Sequence, residues 1–375
     1  MNVINIGTEY NIYKADSVNT YKELPVNTYK VIFHKMKGYY LEAYDGLDVT
    51  EKVYGVHQSK VDKVVNSFSI FERSLGVILS GDKGIGKSLF TKMLAQTCLA
   101  KNIPVLIVDR WVPGIGDFLD TIEQEVMVLF DEFDKTFVEN SEGGNSPQTE
   151  LLSLFDGIST RTKRLYVITC NQLNKINEYL INRPGRFHYH FRFAYPDKTE
   201  IELYLKDKLK PEYYDQIREV IAFAGYTDLN YDCLRAIAFE LNTGIPFKAA
   251  IQDLNILNID NKSTYTMTVK FTDGSSVVRK CRLNMTDSDL EHLWFAPEGC
   301  DSAFIRICFT PAKATWSMEF DAFLLKDVDI ESSVLISEID DDEQAFYDEY
   351  KTKIVAYATL VRHAKIDDLH YKLSY

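Results

Sequence analysis

Short, continuous apolar runs alternate with helical patterns along the middle of this chain, between about residues 56 and 259. Nearly every position in these runs is apolar, which is typical of strands that are covered on both faces. Four such runs predict strands, at residues 76–80, 104–109, 126–131 and 164–169. From residue 199 to 258 the spacing becomes helical, as in Ile201, Leu205 and Leu209. The alternation predicts a parallel α/β sheet followed by a helical lid.

Strand-like patterns flank this middle region on both sides. Before it, residues 28–43 contain two stretches that are rich in Tyr, Val and Ile. After it, a turn at Thr272-Asp273-Gly274 joins two alternating stretches, residues 303–310 and 316–325 predict further strands, and 345–361 has helical spacing. We therefore predict four regions: a β-rich N-terminal extension at 1–55, an α/β core at 56–198, a helical lid at 199–260 and a β-rich, acidic C-terminal domain at 261–375.

The balance of charged residues narrows the range of functions. The chain has 42 basic and 55 acidic side chains, which gives a net charge of −13. From residue 260 onward there are 13 basic and 21 acidic residues. Such an excess of acid disfavours broad binding to nucleic-acid phosphates. No apolar run approaches the roughly 18 residues of a membrane span, and the first residues lack the pattern of a signal peptide. We therefore expect a cytoplasmic protein with no membrane partner.

A glycine-rich stretch between the first predicted strand and the following helix gives the strongest chemical signal. It matches G-x-x-x-x-G-K-[ST] in full and reads Gly81-Asp82-Lys83-Gly84-Ile85-Gly86-Lys87-Ser88. The glycines let backbone N–H groups curl around phosphates at the positive end of a helix. We expect Lys87 to reach the β- and γ-phosphates and Ser88 to bind Mg²⁺. Leu89, with which the predicted helix begins, belongs to the same predicted nucleotide site.

Two adjacent acids end the predicted strand at 126–131. A Mg²⁺ ion at such a loop needs a second anchor, and an attacking water must be polarised. Asp131 is the candidate Mg²⁺ ligand, acting through water, and Glu132 is the candidate base that orients and activates the attacking water. The alternative is a solvated turn without a chemical role, and the phosphate loop that precedes the pair argues against it.

Together with two stretches further along, these residues resemble the AAA+ ATPases, in the branch that carries the second region of homology. The first stretch is Thr169-Cys170-Asn171 at the end of a predicted strand, and the second is Arg183-Pro184-Gly185-Arg186-Phe187. The resemblance covers about residues 56–259. It implies that Asn171 positions the catalytic water, and that Arg183 and Arg186 are arginine fingers that reach the γ-phosphate of a neighbouring subunit.

The resemblance also implies ATP and Mg²⁺ as cofactors, adenine contacts near Val56, and assembly of identical copies into a ring, typically a hexamer. A structural alternative for Arg183 and Arg186 is that both pair with local acids in a Pro-Gly turn. Trp111, which follows the second predicted strand, has two interpretations. It is either a residue that grips substrate in a central pore or a buried anchor for a shortened loop.

We therefore interpret the chain as an oligomeric, Mg²⁺-dependent ATPase that uses ATP hydrolysis to remodel a protein partner. The second hypothesis is an ATPase that handles nucleic acid, such as a helicase or clamp loader, which the acidic balance disfavours. The third is a nucleotide-gated scaffold that assembles but turns over slowly, and Glu132 and Asn171 argue against it. The sequence leaves the partner and the number of copies open.

Overall fold

A seven-stranded sheet forms the centre of the first of two units, Met1–Phe193 and Ala194–Tyr375, in the computed structural model. The structure describes residues 1–6, 8–47, 57–137, 147–155, 162–181, 183–256, 262–296, 303–336 and 341–363. In chain order, the elements of the first unit are β1 (Asn2–Ile6), β2 (Glu9–Tyr13), β3 (Thr28–His34), β4 (Gly38–Ala43), α1 (His57–Ile70), β5 (Leu75–Ser80), α2 (Lys87–Ala100), β6 (Val105–Val108), α3 (Ile115–Asp120), β7 (Val126–Phe130), α4 (Phe133–Thr136), α5 (Pro147–Phe155), β8 (Arg164–Cys170), α6 (Glu178–Ile181) and β9 (Tyr189–Arg192).

The seven strands lie in the order β4-β3-β6-β7-β8-β5-β9, and every neighbouring pair is parallel except the β3–β4 hairpin. Successive side chains of a strand point to opposite faces of a sheet. Accordingly, Val128 and Phe130 of β7 belong to a core with α3, α4 and α5, whereas Met127 and Leu129 belong to a second core with α1 and α2. Burial on both faces explains the continuous apolar runs and confirms the predicted parallel α/β core.

The strands β3 and β4 lengthen this sheet. The first of them pairs in parallel with β6, with Thr28 opposite Val105. The Tyr39 hydroxyl of β4 donates to the Val112 carbonyl at 2.6 Å, and its ring stacks on Phe118 at 5.1 Å between centroids. The hairpin thus covers the edge that β6 would otherwise expose. Strands from the predicted N-terminal extension are therefore part of the sheet, while β1 and β2 form a separate two-stranded sheet.

The second unit begins with four helices and continues as two antiparallel sheets. Its elements are α7 (Lys198–Lys208), α8 (Ile217–Ala224), α9 (Tyr231–Asn242), α10 (Phe247–Asp253), β10 (Ser263–Phe271), β11 (Ser276–Leu283), β12 (Glu291–Phe295), β13 (Ala303–Phe309), β14 (Thr315–Ser317), β15 (Ala322–Lys326), β16 (Ile330–Ile336), α11 (Asp341–Tyr350) and β17 (Val355–Arg362). The five-stranded sheet has the order β11-β10-β17-β15-β14, and the three-stranded sheet has the order β12-β13-β16. Both sheets contribute to one hydrophobic core.

Two predictions for this unit are wrong in detail. The predicted helix at 345–361 ends at Tyr350, and β17 follows it in the middle of the five-stranded sheet. Helical and strand periods both fit so short an apolar pattern. Residues 355–362 form a strand because they pair with β10 on one side and with β15 on the other. The predicted strand at 316–325 is a hairpin of β14 and β15.

Within the second unit, the helical part packs against the sheets. The Tyr226 ring lies 4.5 Å from the Phe323 ring between centroids. The Arg362 guanidinium donates to the Asp228 carboxylate at 2.7 Å, and these two side chains are only 12% and 16% exposed. Each helix among the described residues lacks the combination of length and apolar character that crossing a membrane requires.

We expect the Asp228→Asn substitution to lower the free energy of unfolding of the second unit by about 3 kcal/mol, because it leaves the Arg362 charge largely buried without its counter-ion. The same change at the exposed Asp348, which pairs with Lys351 on the surface, should have little effect. Denaturant unfolding of the two variants and the natural chain measures both values. Equal stabilities for the two variants would contradict the structural role of the Arg362–Asp228 pair.

Candidate active site

The phosphate loop lies between the end of β5 and the start of α2. Gly81, Gly84 and Gly86 have φ angles of 140°, 75° and 100°, a region that side chains with a Cβ atom rarely adopt. A Cβ atom at Gly81 would lie 2.4 Å from the carbonyl oxygen of Phe193, so only glycine fits there. Ile85 is buried, whereas Asp82, Lys83 and Ser88 are exposed. The loop is therefore a cradle for an anion at the N-terminus of a 14-residue helix.

Lys87 lies inside this cradle and is only 8% exposed. Its ammonium group donates to the carbonyl oxygens of Gly81 and Asp82, at 2.5 and 2.6 Å, and to Oδ1 of Asn171 at 2.9 Å. Burial lowers the pKa of Lys87, and nearby acidic groups, Asp82 and Asp134 among them, oppose this shift. The contact with Asn171 brings the predicted phosphate ligand and the predicted water-positioning amide together.

A threonine hydroxyl holds the two predicted acids in place. Thr169 of β8 is 4% exposed, donates to Oδ1 of Asp131 at 2.6 Å and accepts from the backbone N–H of Glu132 at 2.9 Å. Glu132 has a φ of 46°, an uncommon value for a residue with a side chain, and this hydrogen bond helps to maintain it. Both acids are exposed at the end of β7, where they can meet a ligand.

A buried carboxylate positions Asn171 in a similar way. Asp134, in the short helix α4, is 2% exposed and accepts from the backbone N–H groups of Asn171 and Gln172 at 3.1 and 3.0 Å. Neither Asp134 nor Thr169 was predicted from the sequence as a site residue. Two signals could have found them: Asp134 follows the acid pair by two positions, and Thr169 precedes Asn171, the first residue after β8, by two positions. A strand period of two puts Thr169 and Asn171 on one face.

Glu132 forms an ion pair with Lys135 on the following turn, and its side chain is half exposed. The hydrogen bond from Lys135 is the main cause that lowers the pKa of Glu132, and a hydrogen bond with Asn171 contributes in the same direction. The ionised form, which is the form that a general base requires, is therefore favoured.

A cavity of about 370 Å³ adjoins the phosphate loop, and its lining includes Ser88, Asp109 and Asp131. Hydroxyl and carboxylate oxygens are the ligands that Mg²⁺ prefers, so Ser88 and Asp131 fit the predicted Mg²⁺ site. Lys30 of β3 also lines this cavity, with its ammonium 3.8 Å from Oδ2 of Asp109 and 4.4 Å from the centre of the Tyr44 ring. Lys30 was not predicted as a site residue, because the sequence pattern does not show that β3 pairs with β6.

The remaining predicted site residues differ from one another in their exposure to solvent. Arg183 is exposed, with its guanidinium 5.8 Å from the centre of the Tyr179 ring. Arg186 is only 8% exposed and donates to the Tyr179 carbonyl at 2.8 Å. Leu89 is half-buried and packs against the core on the α1 and α2 side of the sheet, while Val56 lies outside the described residues.

Trp111 follows β6 and packs against the core on the opposite side of the sheet. Its indole nitrogen is buried, without a hydrogen-bond partner among the described residues. The neighbouring loop residues are tied to β4, because the Tyr39 hydroxyl donates to the carbonyls of Val112 and Pro113. Of the two interpretations of Trp111, this geometry favours the buried anchor.

We expect the Thr169→Val substitution, which keeps the shape but removes the hydroxyl, to weaken Mg²⁺-dependent activity about 10- to 100-fold. Asp131 then loses the donor that orients it, and the Glu132 N–H loses its acceptor. The apparent Mg²⁺ affinity, titrated at fixed ATP, measures the effect. The Thr97→Val control removes a hydroxyl that only bonds within α2, and it should behave like the natural chain. An unchanged Mg²⁺ titration for Thr169→Val would contradict this role of the hydroxyl.

Comparison with known proteins agrees with this geometry. Residues 77–195 match the family described as ATPase family associated with various cellular activities (AAA). The chain is 28% identical over 186 residues to the ATPase with bromodomain protein abo2 of Schizosaccharomyces pombe. It is 26% identical over 196 residues to the ATPase histone chaperone abo1 of the same organism, and 31% identical over 150 residues to the ATP-dependent zinc metalloprotease FtsH of Mycoplasmoides gallisepticum.

These three alignments cover 43%, 46% and 35% of this chain but only 15%, 16% and 19% of the relatives. The chain thus spans less than a fifth of the length of these curated relatives. The residues that match the family, 77–195, contain the phosphate loop and the acid pair. Residues 77–195 of this chain are therefore an AAA ATPase domain.

Proposed function

We propose that this chain hydrolyses ATP in a Mg²⁺-dependent reaction within a ring of identical copies, and that it uses the reaction to remodel a protein partner. The observation that carries the chemistry is the convergence of Lys87, Glu132 and Asn171 at the carboxyl edge of one parallel sheet. Ligands of open α/β sheets bind at this edge. The phosphate loop lies directly beside these three residues.

The loop and Lys87 provide the phosphate site in this proposal. Backbone N–H groups at the start of α2 offer hydrogen bonds to the phosphate oxygens. The Lys87 ammonium, which bonds to two loop carbonyls, would exchange some of these partners for phosphate oxygens and offset their charge. Because Lys87 is buried, its charge acts at short range with little screening by solvent.

Glu132 and Asn171 act on the attacking water. The Glu132 carboxylate takes a proton from the water while the water oxygen forms a bond to the γ-phosphorus. The bond between the γ-phosphorus and the oxygen that bridges it to the β-phosphate breaks, and this releases ADP and phosphate. The side-chain amide of Asn171 orients that water. Asp134 holds Asn171 in place by accepting a hydrogen bond from the Asn171 backbone N–H. Ser88 and Asp131 would hold Mg²⁺, which when bound neutralises charge on the phosphates.

An exposed arginine supports the ring, and the names of two relatives support a protein partner. The exposed Arg183 is the arginine that we assign to a neighbouring nucleotide site, whereas Arg186 is engaged with the carbonyl of Tyr179 in its own chain. Relatives that are named a histone chaperone and an ATP-dependent metalloprotease support a protein as the partner. The acidic balance of the chain again disfavours nucleic acid.

The Glu132→Gln substitution tests the proposed reaction. We expect ATP binding to stay within about twofold of the natural chain while hydrolysis falls at least about 100-fold, because the water loses its base. A fluorescent ATP analogue measures binding, and phosphate release measures hydrolysis. The Glu72→Gln control changes an exposed carboxylate outside the site and should leave both values unchanged. Hydrolysis at the natural rate in Glu132→Gln would show that Glu132 is not the base.

Mixing two inactive variants tests whether an arginine acts between subunits. We expect Arg183→Ala and Lys87→Ala each to hydrolyse ATP slowly, since one lacks the finger and the other lacks the phosphate charge partner. A mixture contains interfaces where an intact finger faces an intact phosphate loop, so phosphate release should rise above the sum of the two variants. Arg186→Ala, mixed in the same way, shows whether Arg186 shares this role.

Two outcomes would contradict the assignment of Arg183. One is a mixed assembly, demonstrated by size measurement, that stays at the background rate at every mixing ratio. The other is Arg183→Ala turning over ATP at the natural rate on its own. A loss of folding in Arg186→Ala, with no rescue by mixing, would instead agree with its buried hydrogen bond to Tyr179.

A further inference from the structure

Among the described residues, one face of the five-stranded sheet in the second unit carries basic side chains and no acidic ones. Side chains of neighbouring strands lie on the same face of a sheet when their residues are paired in register. Thr266 is paired with Lys280 and Val361, and Tyr357 is paired with Lys270 and Lys326. The opposite face of this sheet belongs to the hydrophobic core. The basic face is defined by four cations and two exposed valines: Lys270, Lys280, Arg282, Lys326, Val278 and Val361.

The absence of acids from this face is unusual for its surroundings. The chain from residue 260 has 21 acidic and 13 basic residues, yet the outward positions of β10, β11, β14, β15 and β17 include no Asp or Glu. Among the described residues, none of the four cations forms an ion pair. Val278 and Val361 are 61% and 47% exposed. The surface thus combines unpaired positive charge with exposed apolar side chains, as the rim and centre of an interface do.

Six acids of this region lie at one end of the other sheet. They lie at or just before the starts of β12 and β16. These two strands flank β13, and their starts lie beside its end, because Phe309 is opposite Glu291 on one side and Ile330 on the other. We call this surface the acidic end: Asp287, Asp289, Glu291, Asp327, Asp329 and Glu331. Of these six carboxylates, Asp329 has an ion pair, with Lys313 at 3.4 Å, in the part of the chain that the structure describes. Leu290 and Val328, which lie among them, are 54% and 81% exposed.

We propose that the basic face of one copy of this chain docks on the acidic end of the next copy. The two surfaces are complementary in sign, each has exposed apolar residues beside its charges, and both belong to the same chain. Two different surfaces on one chain make a head-to-tail contact, and such contacts close into a ring when the rotation between copies allows it. The proposal rests on the ring in the proposed function, and it names a surface that joins the copies.

Opposite charges at this contact set the orientation and the rate of association, and the apolar residues contribute burial. A competing explanation concerns only β11, which is an edge strand of its sheet. Lysine and arginine on an edge strand discourage pairing with other strands. That explanation gives the acidic end no role, so reversing charges on both surfaces separates the two.

The test uses two charge-reversed variants of the full chain. The first is Lys280→Glu with Arg282→Glu, which changes two exposed positions on the basic face. The second is Asp289→Lys with Glu331→Lys, which changes two exposed positions on the acidic end. Sedimentation velocity with ATP present measures assembly, circular dichroism confirms folding, and a fluorescent ATP analogue measures nucleotide binding. A matched control, Lys35→Glu with Lys37→Glu, reverses two exposed lysines in the turn between β3 and β4.

We expect each variant alone to associate more than about tenfold more weakly than the natural chain, because like charges then meet at every contact. The control should assemble normally. An equal mixture of the two variants should recover assembly, since each altered surface then faces one of opposite sign. A chain with all four changes should also assemble, because both of its surfaces are reversed together.

Four results would overturn the proposal. Normal assembly of either variant alone would remove its surface from the contact, while leaving the proposed ATPase ring intact. Loss of assembly without recovery in the mixture would show that the two surfaces do not meet. Binding of an acidic peptide or a single-stranded oligonucleotide to the natural chain but not to Lys280→Glu/Arg282→Glu, with assembly unaffected, would give the basic face a different partner. A natural chain that binds ATP but stays monomeric would overturn the docking and the ring together.

Discussion

The arrangement of the candidate site depends on hydrogen bonds between the ends of β7 and β8. The register that pairs Phe130 with Ile168 brings the Thr169 hydroxyl to Asp131 and to the backbone of Glu132. A slip of one residue would turn Thr169 to the opposite face of the sheet and separate all three. Asp134 strengthens the same junction, because its buried carboxylate binds the backbone that follows β8. Two strand ends thus hold Glu132, Asp131 and Asn171 in one arrangement.

The edge strands of the sheet also contribute to the site. The strand β3 brings Lys30 beside Asp109, in the cavity that Ser88 and Asp131 line. A positive charge there offsets part of the negative charge that the carboxylates gather, before any phosphate or metal ion enters. The hairpin of β3 and β4 therefore both covers the sheet edge and alters the electrostatics of the nucleotide site.

In the second unit, the helices and the sheets share buried contacts. Arg362 of β17 bonds to Asp228 near the start of α9, and the Tyr226 ring meets Phe323 in the sheet. A Cβ atom at Gly225 would lie 2.8 Å from the Trp316 ring, so glycine is needed for this close approach. Because interiors pack densely, a displacement of these helices would carry the adjoining strands with them.

Local pattern alone determined the parallel core, the phosphate loop and the acid pair. Each depends on a short run of residues: an apolar strand, three glycines whose φ angles are positive, and two acids at a strand end. The contacts of Thr169, Asp134 and Lys30 appear only in the tertiary structure, because their partners are distant in sequence. The same holds for β17, which became a strand because β10 and β15 pair with it on either side. Burial of Arg186 likewise depends on how its turn packs. A periodicity records which face of an element is apolar, but only long-range pairing decides which elements become neighbours and which polar groups then meet.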